Sequence, residues 1–259
     1  MKADKNFLLI LLLTLFCAGM IFAQSSAVQR RQVIILKLDD VLQSNEGGGP
    51  VALRWKRITE YLETNHIKGS FGIICSSLEG DNQTYFDWIK SKQKQGLIEF
   101  WLHGYKNRDD KDTGEFEHGT FEEQKAILEK CETLAKEKLG FPLTAFGEHW
   151  SSTTVETGKA LEAIPEIKIL FGGELKDTKK FVLPRIMGLE IKTGLPVFDK
   201  FKAEYEKVGA SQEFLRLQGH PALWDDKKWG EFVKIIDYLK SKGCVFMTPS
   251  EYFNSKNKK

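Results

Sequence analysis

A short run of branched apolar residues near the start of the chain constrains the fold more than any other feature. Val33 to Leu38 reads Val-Ile-Ile-Leu-Lys-Leu, a nearly continuous apolar pattern that is typical of a strand covered on both faces. The run stops at two adjacent acids, Asp39 and Asp40. The sequence therefore predicts a buried strand of a parallel sheet with two carboxylates at its carboxyl end.

The rest of the chain alternates between helical and strand-like patterns. Helical spacing follows at Val51, Trp55, Ile58 and Leu62. Further strands are predicted at residues 70–75, 98–102, 143–146, 167–171, 181–186, 214–218 and 245–248, and further helices at 85–94, 121–139 and 229–242. The pattern predicts an α/β fold, a distorted (β/α) barrel of about seven to eight mainly parallel strands.

Residues 1–23 have the pattern of a secretory signal peptide. Lys2 and Lys5 precede an apolar run over 7–22, and a small residue before Gln24 offers a cleavage point. The run is shorter than the roughly 20 apolar residues that span a bilayer. We therefore expect cleavage, no stable membrane span afterwards, and a secreted or periplasmic protein.

Composition and cysteine usage narrow the remaining possibilities. Cys17 follows Phe16, where a lipoprotein signal would have a small residue, so a lipid anchor is the less favoured reading. The chain has 259 residues and 41% hydrophobic content, which predicts a single domain over 24–259. The 38 basic and 36 acidic residues give a net charge of +2, which argues against a nucleic-acid partner.

Ionisable groups collect where the predicted strands end. Four strand ends carry them, at Asp39-Asp40, His103, Glu148-His149 and His220, and four of the five histidines lie at or shortly beyond such ends. Loops at the carboxyl ends of parallel strands converge on one point, so these side chains are candidates for a functional site. An aspartate pair alone could equally be a turn or a helix cap.

The order of these motifs resembles the polysaccharide deacetylase family, the NodB-homology group of metal-dependent carbohydrate esterases. The resemblance covers nearly all of the sequence after residue 23. Leu38-Asp39-Asp40 is similar to the family's opening Phe-Asp-Asp motif, which implies Asp39 as catalytic base and Asp40 as metal ligand. Leu217-Gln218-Gly219-His220-Pro221 is similar to the closing Leu-x-His motif, which implies His220 as general acid.

The family's metal motif is only partly matched. His103 resembles its first histidine, but the position four residues later, where the family has a second histidine, is Asn107. Either His118 is the second ligand, with the polar loop 106–114 as an insertion, or Asn107 binds in its place. Imidazole is the better zinc ligand, so we expect His118.

The family's Arg-Pro-Pro-Tyr motif is also altered. Phe146-Gly147-Glu148-His149-Trp150 occupies its place, so Gly147 stands where the family has the arginine that orients the base. Trp150 could lend a backbone N–H to an oxyanion and form a pocket wall, while Glu148 or His149 could orient another group. Trp224, Trp150 and Trp101 could stack on sugar rings, although large aromatics are more often packed in a core.

The resemblance implies an exported, metal-dependent hydrolase that removes N- or O-linked acetyl groups from a carbohydrate or cell-envelope glycan. It implies a divalent metal, with zinc expected, held by Asp40, His103 and His118. Two alternatives stay open. One is an inactive glycan-binding protein on the same fold, and the other is a metal-dependent hydrolase of another amide bond.

Overall fold

The computed structural model describes residues 31–106, 113–172 and 178–257. The predicted signal peptide and Asn107 lie outside the described residues. Among the described residues, no helix combines the length and the apolar character that crossing a bilayer requires.

Eight strands of the described residues form one curled, parallel sheet. They are β1 Val33–Val41, β2 Gly69–Ile73, β3 Ile98–Leu102, β4 Ala145–Phe146, β5 Ile169–Leu170, β6 Phe181–Val182, β7 Phe214–Gly219 and β8 Val245–Phe246. The order across the sheet is β6-β5-β4-β3-β2-β1-β7, and β8 also pairs with β1. Every pairing is parallel, which confirms the predicted distorted α/β barrel.

Seven α-helices accompany the sheet within the described residues. They are α1 Leu53–Thr64, α2 Gln83–Gln95, α3 Phe121–Leu139, α4 Val155–Glu162, α5 Phe198–Glu204, α6 Asp226–Ser241 and α7 Pro249–Asn257. Apolar periodicity predicts α1, α2, α3 and α6. The other three have eight, seven and nine residues, too few for a periodic pattern to repeat convincingly.

The start of α3 follows a local sequence signal. Thr120 and Glu123 form a capping box, in which the Glu123 N–H donates to Thr120 Oγ1 and the Thr120 N–H donates to Glu123 Oε2. The helix ends at Gly140, which has a φ of 81°. These two signals determine where α3 begins and where it ends.

Strand β1 packs on both of its faces. Ile34, Leu36 and Leu38 belong to the larger apolar cluster with the helices, whereas Val33 and Ile35 belong to a smaller cluster with residues of β3, β4 and β5. Side chains along a strand alternate between faces, so the next odd-numbered residues continue the second face. The candidate functional site lies at the carboxyl end of this second face.

Candidate metal and catalytic centre

A bulge in β1 presents two adjacent carboxylates to one cavity. Neighbouring residues of a regular strand point to opposite faces. Here the pairing with β2 shifts register between Leu38 and Val41, and Asp40 has a φ of 74°, in the left-handed region that is costly for a residue with a side chain. Asp39 and Asp40 consequently line the same cavity.

This cavity, called the main cavity below because the candidate site residues line it, has a volume of about 410 Å³ and lies at the carboxyl ends of β1, β3, β4 and β7. It is lined by Asp39, Asp40, His103, His149, Trp150, Arg185, Glu190, Lys192, Thr193, Gln218 and His220. The lining brings together the predicted catalytic residues and two of the three predicted metal ligands.

Asp40, His103 and His149 form a cluster that could hold a metal ion, called the Asp40 cluster below. One ligand atom of each lies within 4.8 Å of the others. His103 Nε2 is 3.4 Å and His149 Nδ1 is 3.7 Å from Asp40 Oδ1. Bonds of about 2.1 Å to a tetrahedral ion place ligand atoms about 3.4 Å apart, so these spacings fit a metal such as zinc.

The orientation of His103 favours the same role. Its Nδ1 lies 2.5 Å from the Gly147 carbonyl oxygen, which requires a proton on Nδ1 and turns Nε2 towards Asp40. A backbone acceptor of this kind commonly orients a histidine that binds metal.

The protonation states also suit a cation. Burial, followed by the neighbouring charge of His103, lowers the pKa of His149 to about 2, so its imidazole is neutral. His149 Nε2 is buried without a hydrogen-bond partner among the described residues. Burial raises the pKa of Asp40, but the hydrogen bond to His103 and the nearby imidazoles outweigh it and hold that pKa well below its usual range.

Asp39 is buried and held by two donors, one on its own strand β1 and one on the neighbouring strand β7. Lys37 Nζ lies 2.7 Å from Oδ1 and 2.6 Å from Oδ2, and Gln218 Nε2 donates to Oδ2 at 2.8 Å. Both Lys37 and Asp39 lie on the inward face of β1, two residues apart, and their side chains are 3% and 1% exposed. Burial lowers the pKa of Lys37, and the Asp39 carboxylate opposes that shift.

Gly147 leaves the space that Lys37 occupies. A Cβ at Gly147 would lie 2.9 Å from Lys37 Cε and 3.0 Å from the Trp101 ring. Lys37 Nζ in turn lies 4.6 Å from the centre of the Trp101 ring, a cation–π distance. Position 147 therefore supplies no arginine, and the cation that contacts Asp39 is Lys37 of β1.

His220 and Glu190 form a second pair beside Asp39. Glu190 Oε2 lies 2.8 Å from His220 Nδ1, and His220 Nε2 lies 3.7 Å from Asp39 Oδ2. Burial lowers the pKa of His220, but the hydrogen bond to Glu190 and the charge of Asp39 raise it above its usual value overall. The Trp224 indole N–H donates to Glu190 Oε1 at 2.6 Å and fixes the carboxylate.

The structure places several predicted site residues elsewhere. His118 is outside the Asp40 cluster and lines a separate cavity with Glu115 and Gln124, where its Nδ1 is 3.2 Å from Thr113 Oγ1. The order of the histidines along the chain suggests His118, but the loop after β4 brings His149 beside His103, with ring centres 3.8 Å apart.

Of the residues predicted to contact the substrate, some line the main cavity and others do not. Trp150 is 61% exposed and lines the main cavity, as expected for a pocket wall. Trp224 is 1% exposed and stacks on Phe232, so it is not a surface for a sugar, and Trp101 is buried beneath Lys37. Glu148 is buried near Lys37 and does not line the cavity.

Sequence reasoning missed residues that surround the predicted ones. Lys37 and Arg216 each interrupt an apolar strand, and a charged residue in such a run needs a buried partner, which was a usable signal. Glu190 lies in a loop after β6 and carries no such signal.

The curled parallel sheet defines the chain as an α/β distorted barrel. No protein-family model and no curated protein sequence matches it. Solved structures do: the Xyl-CE4 domain of a multidomain xylanase from the hindgut metagenome of Trinervitermes trinervoides is 16% identical, with a TM-score of 0.61 over 88% of this chain and 93% of that one. A family 4 acetyl xylan esterase from Clostridium thermocellum, in complex with a cobalt ion, is 14% identical, with a TM-score of 0.56 over 87% and 92%.

A CE4 family pseudoenzyme from Bacillus anthracis shares the fold as well. It is 14% identical, with a TM-score of 0.60 over 86% of this chain and 65% of that one. At these identities the likeness concerns the fold, and it confirms the resemblance to polysaccharide deacetylases that the motifs indicate.

Proposed function

We propose that this protein is an exported, metal-dependent hydrolase that removes acetyl groups from a carbohydrate. The observation that carries the proposal is the convergence of Asp39, the Asp40 cluster and the His220–Glu190 pair on one open cavity. The fold shared with CE4 deacetylases and esterases supports it. Export rests on residues 1–23, and amino-terminal sequencing of the secreted protein, with a start near Gln24 expected, tests that part.

Asp39 is the general base of the proposed reaction. A carboxylate has about four lone-pair positions, and Lys37 and Gln218 occupy three of them. The remaining position is available to the proton of an attacking water in the cavity. The two donors also keep the carboxylate from rotating, so that its free lone pair stays directed at one point.

His220 is the general acid. Glu190 accepts the Nδ1 proton, so Nε2 is the atom that faces Asp39 and the cavity. Because its pKa is raised, His220 carries a proton to higher pH than an ordinary histidine and can transfer it from Nε2 to the leaving amine or alkoxide. Trp150 forms the exposed wall against which a sugar could pack.

The residues that would hold the metal are Asp40, His103 and His149. When bound there, a divalent ion, with zinc the best match to one carboxylate and two imidazoles, lowers the pKa of a water and polarises an acyl carbonyl. His149 takes the place for which the sequence predicts His118.

Acetate release from acetylated xylan and from N-acetylglucosamine oligomers tests the function. The full chain is loaded with Zn²⁺ or Co²⁺ and compared with Asp39→Asn, Asp40→Asn and the exposed helix variant Asp87→Asn. We expect Asp39→Asn to lose activity by at least about 10²-fold while it retains metal, Asp40→Asn to lose both, and Asp87→Asn to match the parent. Equal rates for Asp39→Asn and the parent would refute the proposal.

A glycan-binding protein without activity is the second candidate, because a pseudoenzyme shares this fold. Metal analysis and a binding assay with the same oligosaccharides separate the two. Glycan binding without stoichiometric metal and without acetate release would favour the binding protein.

A further inference from the structure

Two exposed cations border the main cavity without a partner of opposite charge. Arg185 and Lys192 come from the segment between β6 and α5, and both line the cavity beside Trp150. Within residues 31–106, 113–172 and 178–257 neither side chain forms an ion pair.

The carboxylates near these cations are already engaged. Glu190 Oε1 accepts from the His220 N–H and the Trp224 indole, and its Oε2 accepts from the Gly194 N–H and faces His220 Nδ1. Asp39 is bound by Lys37 and Gln218. Asp40, the third lining acid, belongs to the Asp40 cluster with His103 and His149. Within the described part of the chain, each acid that lines the cavity is therefore engaged by residues other than Arg185 and Lys192.

The charge balance around the cavity points the same way. Four carboxylates line or back the cavity, those of Asp39, Asp40, Glu148 and Glu190, and four cations match them, Lys37, Arg185, Lys192 and Arg216. A divalent ion in the Asp40 cluster would leave an excess of about two positive charges there. Such a cavity attracts an anion.

The charge of Arg185 acts on the buried Arg216. Burial lowers the pKa of Arg216 to about 10, and the positive charge of Arg185 contributes to that shift. The two positive charges make the electrostatic potential on this side of the cavity more positive. A positive potential attracts a negatively charged carboxylate ligand.

We propose that the substrate is an acidic glycan, in which a carboxylate on a sugar next to the acylated one binds Arg185 and Lys192. The planar guanidinium of Arg185 suits a carboxylate because it can donate two parallel hydrogen bonds. Lys192 adds a second exposed positive charge to the cavity lining. This inference rests on the proposed function and specifies its substrate class.

Binding and turnover are measured separately to test it. Isothermal titration compares trigalacturonate with neutral xylotriose on the metal-loaded full chain, and kinetics compare acetylated oligogalacturonate with acetylated xylo-oligosaccharides. We expect the parent to favour the acidic ligand, and Arg185→Gln or Lys192→Gln to lower the acidic-to-neutral ratio by about tenfold. Added salt should weaken the acidic binding, and the exposed α2 variant Lys94→Gln should keep the parent ratio.

The outcomes separate the two proposals. Binding of trigalacturonate that depends on Arg185 and Lys192, without acetate release from any substrate, would keep the acidic-glycan site and refute the hydrolase. Acetate release with the same ratio in the parent and both variants would keep the hydrolase and overturn the acidic substrate.

Discussion

At the scale of single residues, the site depends on a lysine in a place where a buried strand should be apolar. Lys37 is on the inward face of β1, over the Trp101 ring, and its charge is compensated by Asp39 two residues later. An isolated buried ammonium is costly, so each partner makes the burial of the other tolerable. The pair lies beside the candidate metal site and is not part of the Asp40 cluster.

Replacing Lys37 with methionine tests its role as a positioning residue. Lys37→Met keeps the length of the side chain but removes the donor, so Asp39 loses its orientation and its paired charge. We expect kcat to fall about 100-fold with little change in KM, a shifted pH profile of kcat/KM, and unchanged metal content. The fold should lose about 3–5 kcal/mol of unfolding free energy, so assays are run well below the melting temperature.

Two further variants make that result interpretable. Lys37→Arg keeps the positive charge and should retain more activity than Lys37→Met, while Lys94→Met on the exposed face of α2 should behave like the parent. A folded Lys37→Met protein with the parent's kcat and pH profile would show that Asp39 needs no partner.

Gly147 is expected to resist even the smallest enlargement. In Gly147→Ala the new Cβ would lie 2.9 Å from Lys37 Cε, and the Gly147 carbonyl that orients His103 would have to shift with it. We expect a loss of kcat and of metal affinity, measured by kinetics and metal titration. Gly230→Ala in α6 is the control, because nothing lies within 4 Å of its Cβ, and it should gain about 0.5–1 kcal/mol.

At the scale of secondary-structure elements, an irregularity in β1 places two adjacent acids at the main cavity. The bulge at Asp39 and Asp40 turns both acids towards the cavity, while the regular part of the strand keeps Ile34 and Leu36 in the core. The register shift costs backbone strain at Asp40. The extended pairing of β1 with β2 and β7 supplies the rigidity that maintains this strain.

Helix α3 carries a carboxyl group that should make stability depend on pH. Burial, and then the nearby charge of Glu166, raises the pKa of Glu132 from 4.5 to about 7. The folded state then binds more protons than the unfolded state between these two values, so the free energy of unfolding falls as pH rises through this window. The cost is complete above about pH 7 and absent below the unfolded pKa.

Glu132→Gln should remove that dependence. We expect the variant to match the parent at acid pH and to exceed its unfolding free energy by about 3 kcal/mol above neutrality, as measured by urea unfolding at several pH values. Glu129→Gln on the exposed face of α3 should show a small difference at all pH values. A difference between Glu132→Gln and the parent that did not change with pH would contradict the prediction.

At the scale of the whole molecule, the sequence predicts the sheet well and only part of the residue set of the candidate metal site. The strands, the capping box of α3, and the strand-end positions of Asp39, His103 and His220 follow from local patterns. His149 and His118 cannot be distinguished in this way, because the choice depends on which loop reaches the end of β1. The burial of Trp224 and the engagement of Glu190 are likewise tertiary facts that no local spacing encodes.

Metal binding should stabilise the whole fold and discriminate between the two histidines. A ligand that binds only the folded state adds about 2.7 kcal/mol at a free concentration 100 times its Kd. Thermal unfolding of the full chain with Zn²⁺ and with a chelator should therefore show a metal-dependent rise in Tm for the parent and for His118→Ala, which leaves the Asp40 cluster intact. His149→Ala should show little of that rise, because one of three ligands is missing. A rise that persists in His149→Ala and disappears in His118→Ala would instead place the metal in the arrangement that the motif order predicts.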